Sequence, residues 1–229
     1  NRPLDEVGSK FETFEQTVER VIGHQQWLWN RAAKFDYTTK QQTDELNELK
    51  QLMLERKVLM SGRTLWLGGT EVAKRREASQ FNCSFTHVET VYDLVDVLWL
   101  LMQGCGVGFK PIIGQLTGFQ TPIKQVEIIR STRTAKGGRQ TNEESFDPAT
   151  GEWRISIGDS AEAWAKSIGK LASHKFPANK LVVDLAEIRP AGERLKGYGW
   201  ISSGEAAIAT AYKAIIEILN KRAGSLLSR

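Results

Sequence analysis

Three segments within one short stretch decide how the fold is read: Ser61-Gly-Arg-Thr-Leu-Trp-Leu-Gly-Gly-Thr70, Phe81-Asn-Cys-Ser-Phe85 and Gln103-Gly-Cys-Gly-Val-Gly-Phe109. Each joins a short apolar run to glycines, hydroxyls or a thiol, the composition of backbone that lets a ligand come close. The Thr64 hydroxyl and the unobstructed N–H groups of Gly68 and Gly69 suit an oxygen anion. The plain structural reading of the same residues is a strand followed by a tight turn. Cys83 lies in a segment that reads as a strand, where a thiol is more often core than chemistry. A reactive thiol needs an exposed and often electropositive setting. Gly104 to Gly108 reads as a loop open only to glycine-rich backbone. It is no dinucleotide fingerprint, because it follows a helix and lacks the GxGxxG spacing.

Outward from that stretch, helical periodicity predicts helices over Phe11 to Lys34 and Thr43 to Lys57, a helical cap ahead of a subdomain border near Met60. Val91 to Gln103 predicts a helix stopped by Gly104. Val126 to Ile129 reads as a buried strand, Gly151 to Ile157 as an alternating one, and Ser131 to Thr150 as a polar excursion between them. Asp159 or Ser160 caps a helix from Ala161 to about Ser173. Leu181 to Leu185 is a further strand, and a last helix runs from about Gly204 to Arg222 with Gly224 as its C-cap. Helices followed by strands alternating with helices predict an α/β class with partly parallel strands.

Composition narrows the function classes. The chain has 229 residues, 41% of them hydrophobic, which is enough for a continuous core. A net charge of +4 fits a small anion as well as a nucleic acid. No apolar run reaches membrane-span length and the first residues lack a signal-peptide core, so a cytoplasmic chain is expected. Two cysteines without a CxxC and three scattered histidines argue against structural zinc. Arg130-Ser-Thr-Arg-Thr-Ala-Lys-Gly-Gly-Arg139 is the strongest physical signal for phosphate, with a solvated surface loop as its ordinary reading. Acids follow it, and no aromatics are interleaved, which weakens a nucleic-acid role. Asp184 to Gly204 runs from a strand through Arg-Pro and Gly-Tyr-Gly into a helix, with more glycines and cations than a connection requires.

In order and spacing, these segments resemble the catalytic barrel of ribonucleotide reductases over roughly 61–229, closest to the adenosylcobalamin-dependent class and its monomeric ribonucleoside triphosphate reductases. The resemblance implies the N-terminal half of a ten-stranded α/β barrel (61–229) preceded by a helical region (1–60). It makes Cys83 one of two cysteines that reduce the ribose and become a disulfide. It gives Thr64 the substrate phosphate, Asn82 and Cys83 a nucleotide contact, and the glycine loop with Gly104, Cys105 and Gly106 the ribose. Many relatives carry glycine or alanine where this chain has Cys105. Arg194, Lys196, Gly197, Tyr198 and Gly199 become the working residues of the loop that relays effector identity to the substrate base. The implied cofactor is adenosylcobalamin, which generates a thiyl radical on a cysteine outside these residues and is contacted mainly outside them. The implied partners are a ribonucleoside triphosphate substrate, a deoxyribonucleoside triphosphate effector, the C-terminal half of the barrel or a second polypeptide, and a thioredoxin-type reductant, without membrane or nucleic acid. A noncatalytic nucleotide-binding or assembly module using the same loops is the alternative.

Overall fold

The computed structural model describes residues 4, 9–33, 39–135, 137–195 and 200–227. Packing divides the chain into two units, 1–82 with 194–200, and 83–193 with 201–229. The division falls between Asn82 and Cys83 rather than at the change of sequence character near Met60.

The first unit is helical. Its long members are α1 (Phe14–Ala33) and α2 (Lys40–Leu54). The start of α2 is set by a capping box in which Thr39 and Gln42 exchange side-chain and backbone hydrogen bonds. Val18, Val21 and Met53 form the core between them, with Phe14, Leu49 and Leu65 packed around it. Where a strand and turn were expected, the chain forms α3 (Gly62–Leu67) and α4 (Glu71–Arg75), followed by a 3₁₀ turn over Glu77–Gln80. Ser61 and Thr70 explain the difference, because each hydroxyl accepts the N–H three residues on, an N-cap that short apolar periodicity does not reveal.

Gly68 and Gly69 serve packing. A Cβ on Gly68 would lie 2.6 Å from the Thr64 carbonyl oxygen, and one on Gly69 2.7 Å from that of Arg20. The bare backbone lets α1 close onto the end of α3. There the Arg20 guanidinium donates to the Leu65 carbonyl at 2.7 Å and to that of Gly68, while Glu12 holds its other side through bonds of 2.8 and 2.7 Å. A cation on the last carbonyls of a helix is favourable, and Glu12 neutralises it in a buried setting.

The second unit holds two sheets. β1 (Cys83–Val88) and β2 (Gly106–Pro111) form a parallel pair joined through α5 (Val91–Met102). The glycine run is therefore a loop only at its start: Gly104 takes φ +82 to end the helical stretch, and the chain is already a strand at Gly106. The other sheet has the order β3-β6-β5-β4, from β3 (Gln125–Ile129), β4 (Glu143–Asp147), β5 (Glu152–Ser156) and β6 (Lys180–Asp184). β3, β6 and β5 are parallel; β4 is antiparallel to β5. β4 lies inside the expected polar excursion, its Glu-Glu-Ser-Phe-Asp sequence too polar to announce a strand. Glu144 explains its inward face, because it accepts the Trp153 indole N–H at 3.1 Å and Lys170 Nζ at 2.5 Å.

One face of this sheet carries Trp153, Ile155, Leu181 and Val183 into a core closed by α6 (Ala161–Ser173) and α7 (Ala206–Lys221), which contribute Leu171, Ile208, Tyr212 and Ile216. Ser160 caps α6, while Asp159 pairs instead with Arg189, whose Nε lies 3.0 and 2.9 Å from its two oxygens. α5 packs on α6 where Gly169 leaves room for Val95. The structure is thus α/β with two sheets, one purely parallel and one mixed. Among the described residues no helix is long and apolar enough to cross a membrane.

Candidate functional site

The thiol singled out by the sequence sits on an open sheet face. Parallel register sets Cys83 against Gly106, Phe85 against Gly108 and His87 against Lys110. Strand alternation puts these six residues on one side. All six are exposed. A Cβ on Gly108 would lie 3.1 Å from Phe85 Cδ2, so the Phe85 ring lies across that glycine, and its edge contact with His87 has a centroid distance of 5.6 Å. The strip of backbone beside Cys83 carries no side chain at Gly106 or Gly108. The face therefore offers a thiol, bare peptide, one aromatic ring and two basic side chains, which is suited to a flat polar ligand approaching the main chain.

Cys105 differs from Cys83 in exposure. It is 3% exposed, precedes the first β2 residue paired with β1, and its Sγ lies 3.6 Å from the Gly106 carbonyl. Both cysteines are free thiols. Alternation along β2 turns Cys105 away from the Cys83 face, and a thiol so buried is hard for a reactant to reach. The position that the sequence offered as a ribose contact is built as core, and Gly106 beside it is the residue that reaches the open face.

In the first unit, Ser61 Oγ and Thr64 Oγ1 lie 3.0 Å apart at the start of α3. One residue before Thr64, Arg63 donates through Nε to Asn82 Oδ1 at 3.4 Å. Asn82 is thereby joined to α3 next to Thr64, through a guanidinium that the sequence reading passed over. Its signal was available: a cation inside a hydroxyl- and glycine-rich segment. Phe85, His87 and Lys110 were also missed, although period-two alternation from Cys83 finds the first two.

The basic run behaves differently from its expectation. Arg130 pairs with Glu205, Arg133 with Glu187 at 3.2 Å, and Arg139 with Glu143 at 3.0 Å. Glu187 also accepts the Arg139 backbone N–H at 3.0 Å. These three arginines are engaged in internal ion pairs among the described residues, so that much of the sequence's phosphate signal has a structural use. Lys136 lies outside the described residues, as do Lys196, Gly197, Tyr198 and Gly199. Arg194 is exposed at the start of segment 194–200, which packs with the first unit. No group of three or more His, Cys, Asp or Glu side chains forms a metal site among the described residues.

No protein-family model matches the chain. Sequence comparison finds adenosylcobalamin-dependent ribonucleoside-triphosphate reductases. The protein from Lactobacillus gasseri is 26% identical over 265 aligned positions, with 96% of this chain and 35% of its own length covered. That from Lactobacillus leichmannii is 25% identical, with 99% of this chain and 35% of its own length covered. A solved B12-dependent class II ribonucleotide reductase superposes with a TM-score of 0.76 at 24% identity, over 99% of this chain and 36% of the other. The relatives that these comparisons found carry the name adenosylcobalamin-dependent ribonucleoside-triphosphate reductase. The chain spans about a third of the length of these relatives. Similarity to the reductases extends across both units and includes the helical region ahead of Met60, where the sequence reading found no motif.

Proposed function

We propose that this chain forms the substrate-binding, N-terminal part of an adenosylcobalamin-dependent ribonucleoside-triphosphate reductase, an enzyme of deoxyribonucleotide synthesis in the reducing cytoplasm. The observation that carries the reading is Cys83: an exposed free thiol beside glycine backbone on the open face of a parallel strand pair. The reductases found by comparison support it.

In this reading the ribonucleotide lies along the Gly106–Gly108 backbone. Cys83 and a second thiol, supplied by residues beyond this chain, give two electrons and two protons to the sugar. The 2′ hydroxyl leaves as water, a C2′–H bond replaces the C2′–O bond, and the two thiols become a disulfide. An external dithiol of the thioredoxin type reopens it by exchange, itself becoming the disulfide. Cys105 is not the second thiol, because it is buried on the other side of β2. Thr64 and Asn82 receive the nucleotide, with the triphosphate toward the Thr64 hydroxyl. Segment 194–200, including the residues between Leu195 and Trp200, answers a deoxyribonucleoside triphosphate effector.

Adenosylcobalamin supplies the radical chemistry when bound. The donors of this chain, a thiol, hydroxyls and bare peptide, fit a phosphorylated sugar rather than a corrin, so the contacts to the cofactor belong to the rest of the enzyme. A barrel completed by that remainder also gives β1 and β2 the neighbours that an open parallel pair lacks.

The test is Cys83→Ser in the native enzyme containing this chain, assayed with adenosylcobalamin, a dithiol and ribonucleoside triphosphates. Multiple-turnover deoxynucleotide formation is expected to fall by about a thousandfold or more, with nucleotide affinity kept within about threefold, since one oxygen replaces one sulfur on an exposed face. Unchanged turnover refutes the assignment. Tight nucleotide binding with no reduction by the unmodified enzyme would favour a noncatalytic nucleotide-binding module.

A further inference from the structure

Phe85 is the one large apolar side chain on the Cys83 face, and the reduction of a sugar gives it no task. It follows Cys83 by two residues on β1, so about 6.6 Å of strand separates them on the same side. Its partner across the pair is Gly108, as Gly106 is that of Cys83. With no Cβ at Gly108 the ring can lie over β2: a Cβ built there would be 3.1 Å from Phe85 Cδ2 and 3.8 Å from Cε2. On its other flank the His87 ring stands nearly perpendicular, at an interplanar angle of 87° and a centroid distance of 5.6 Å. Bare backbone beneath and an imidazole beside set the orientation of the ring. Phe85 is nonetheless 64% exposed.

An exposed aromatic on a strand is commonly part of a packing face, and the interior of a parallel α/β barrel is filled with layers of bulky branched side chains. The Cys83 face is built otherwise. Around Phe85 stand a thiol, two glycines and two basic side chains, without an aliphatic residue among them. Such a face offers a second protein element little to interlock with. It offers a flat heterocycle an oriented platform that loses little further freedom when covered. Stacking also tolerates any base, because every base has a π-face.

Direction along the strands assigns the ends of the ligand. In the reading above the triphosphate goes toward Thr64, whose neighbour Arg63 donates to Asn82, the residue immediately ahead of β1. The sugar then meets Cys83 at the start of β1, and the base leaves from C1′, the carbon next to C2′, in the remaining direction, toward Phe85. We propose that Phe85 is a substrate-binding residue on whose ring the purine or pyrimidine base stacks, setting the ribose against Cys83. This rests on the reading of Cys83 as the thiol that meets the ribose.

The test uses the native enzyme containing this chain with Phe85→Ala and Phe85→Tyr, after thermal melts establish folding. KM and kcat are measured for purine and pyrimidine ribonucleoside triphosphates, and inhibition is measured with ribose 5-triphosphate, which has the sugar and phosphates but no base. Phe85→Ala is expected to raise KM about tenfold for purines and pyrimidines alike, with kcat within about twofold, while Phe85→Tyr keeps the ring and stays within about twofold of the unmodified enzyme. Inhibition by ribose 5-triphosphate is expected to be unchanged in Phe85→Ala, a result that a merely structural role for the ring does not produce. An unchanged KM in folded Phe85→Ala, or equal weakening of the inhibitor that lacks a base, overturns the stacking role. Full turnover by Cys83→Ser overturns instead the reading beneath it, whatever Phe85→Ala shows.

Discussion

The two sheets of the second unit face solvent in opposite ways. The four-stranded sheet turns its apolar side, with Trp153, Leu181 and Ile155, to α6 and α7 and closes its other side with a ladder of charge. On that open side Lys180 lies 3.1 Å from Glu127 and 2.9 Å from Glu152, and Arg154 lies 3.2 Å from Glu152 and 3.5 Å from Asp184. The two-stranded sheet has no such ladder. Its open face carries Cys83, Phe85, His87 and Lys110 without an acid in register, and Phe85 is 64% exposed. One sheet is finished by its own residues, and the other is left chemically and geometrically open. Buried packing and an exposed thiol are therefore separated within a single unit, as is usual where binding groups sit on a scaffold that folds for other reasons.

Mutations of the two faces sharpen this contrast. Trp153→Ala removes a fully buried ring from the closed core and is expected to lower unfolding stability by about 3–5 kcal/mol, whereas Phe85→Ser on the open face is expected to stay within about 0.5 kcal/mol. Urea denaturation of both variants checks this, and equal losses would break the contrast. Glycine substitutions give a smaller separation. A Cβ on Gly118 would lie 2.2 Å from the Arg222 carbonyl oxygen, which is backbone, while one on Gly108 has the Phe85 ring at 3.1 Å as its nearest neighbour and backbone no nearer than 3.9 Å. Gly118→Ala should cost about 1–3 kcal/mol and Gly108→Ala much less, as read from melting temperatures; in the reductase proposed above, Gly108→Ala should instead raise KM for the nucleotide.

The smallest expected effect is in acid. Hydrogen bonding from Lys180 holds the Glu152 carboxyl below its ordinary value of 4.5. The unfolded chain thus binds this proton more readily than the folded one, and stability rises with pH across that range. The contribution is present above about pH 4.5 and is lost as pH falls through the lower folded value. Urea midpoints from pH 6 to pH 3 should decline less steeply in Glu152→Gln than in the unmodified chain. An identical slope would mean the ladder contributes nothing measurable, as many exposed ion pairs do not.

Much of the secondary structure was legible because it is written locally. Helices α5, α6 and α7 and strands β3, β5 and β6 fall within a few residues of where periodicity and glycine placed them. Others were not: α3 and α4 depend on the Ser61 and Thr70 caps, β2 begins where a glycine loop was expected, and β4 depends on Glu144 finding Trp153 and Lys170. The site was legible in its chemistry and not in its arrangement. Cys83, Thr64 and Asn82 stood out as residue types in an unusual stretch, but Arg63 was passed over, and Gly68 and Gly69 proved to be packing contacts with α1.

The sequence by itself determined that this is an α/β chain with a thiol and glycine-rich backbone set close together, and it carried the likeness to ribonucleotide reductases. Those properties reside in composition, local periodicity and spacing, which need no knowledge of distant partners. Only the tertiary structure decided that Cys83 is exposed while Cys105 is buried, that the three arginines of the basic run pair with Glu205, Glu187 and Glu143, and that Trp200 meets Trp66. The reason is physical: strand register sets which face a side chain occupies, and ion pairs and ring contacts join residues that the chain brings together only when it folds.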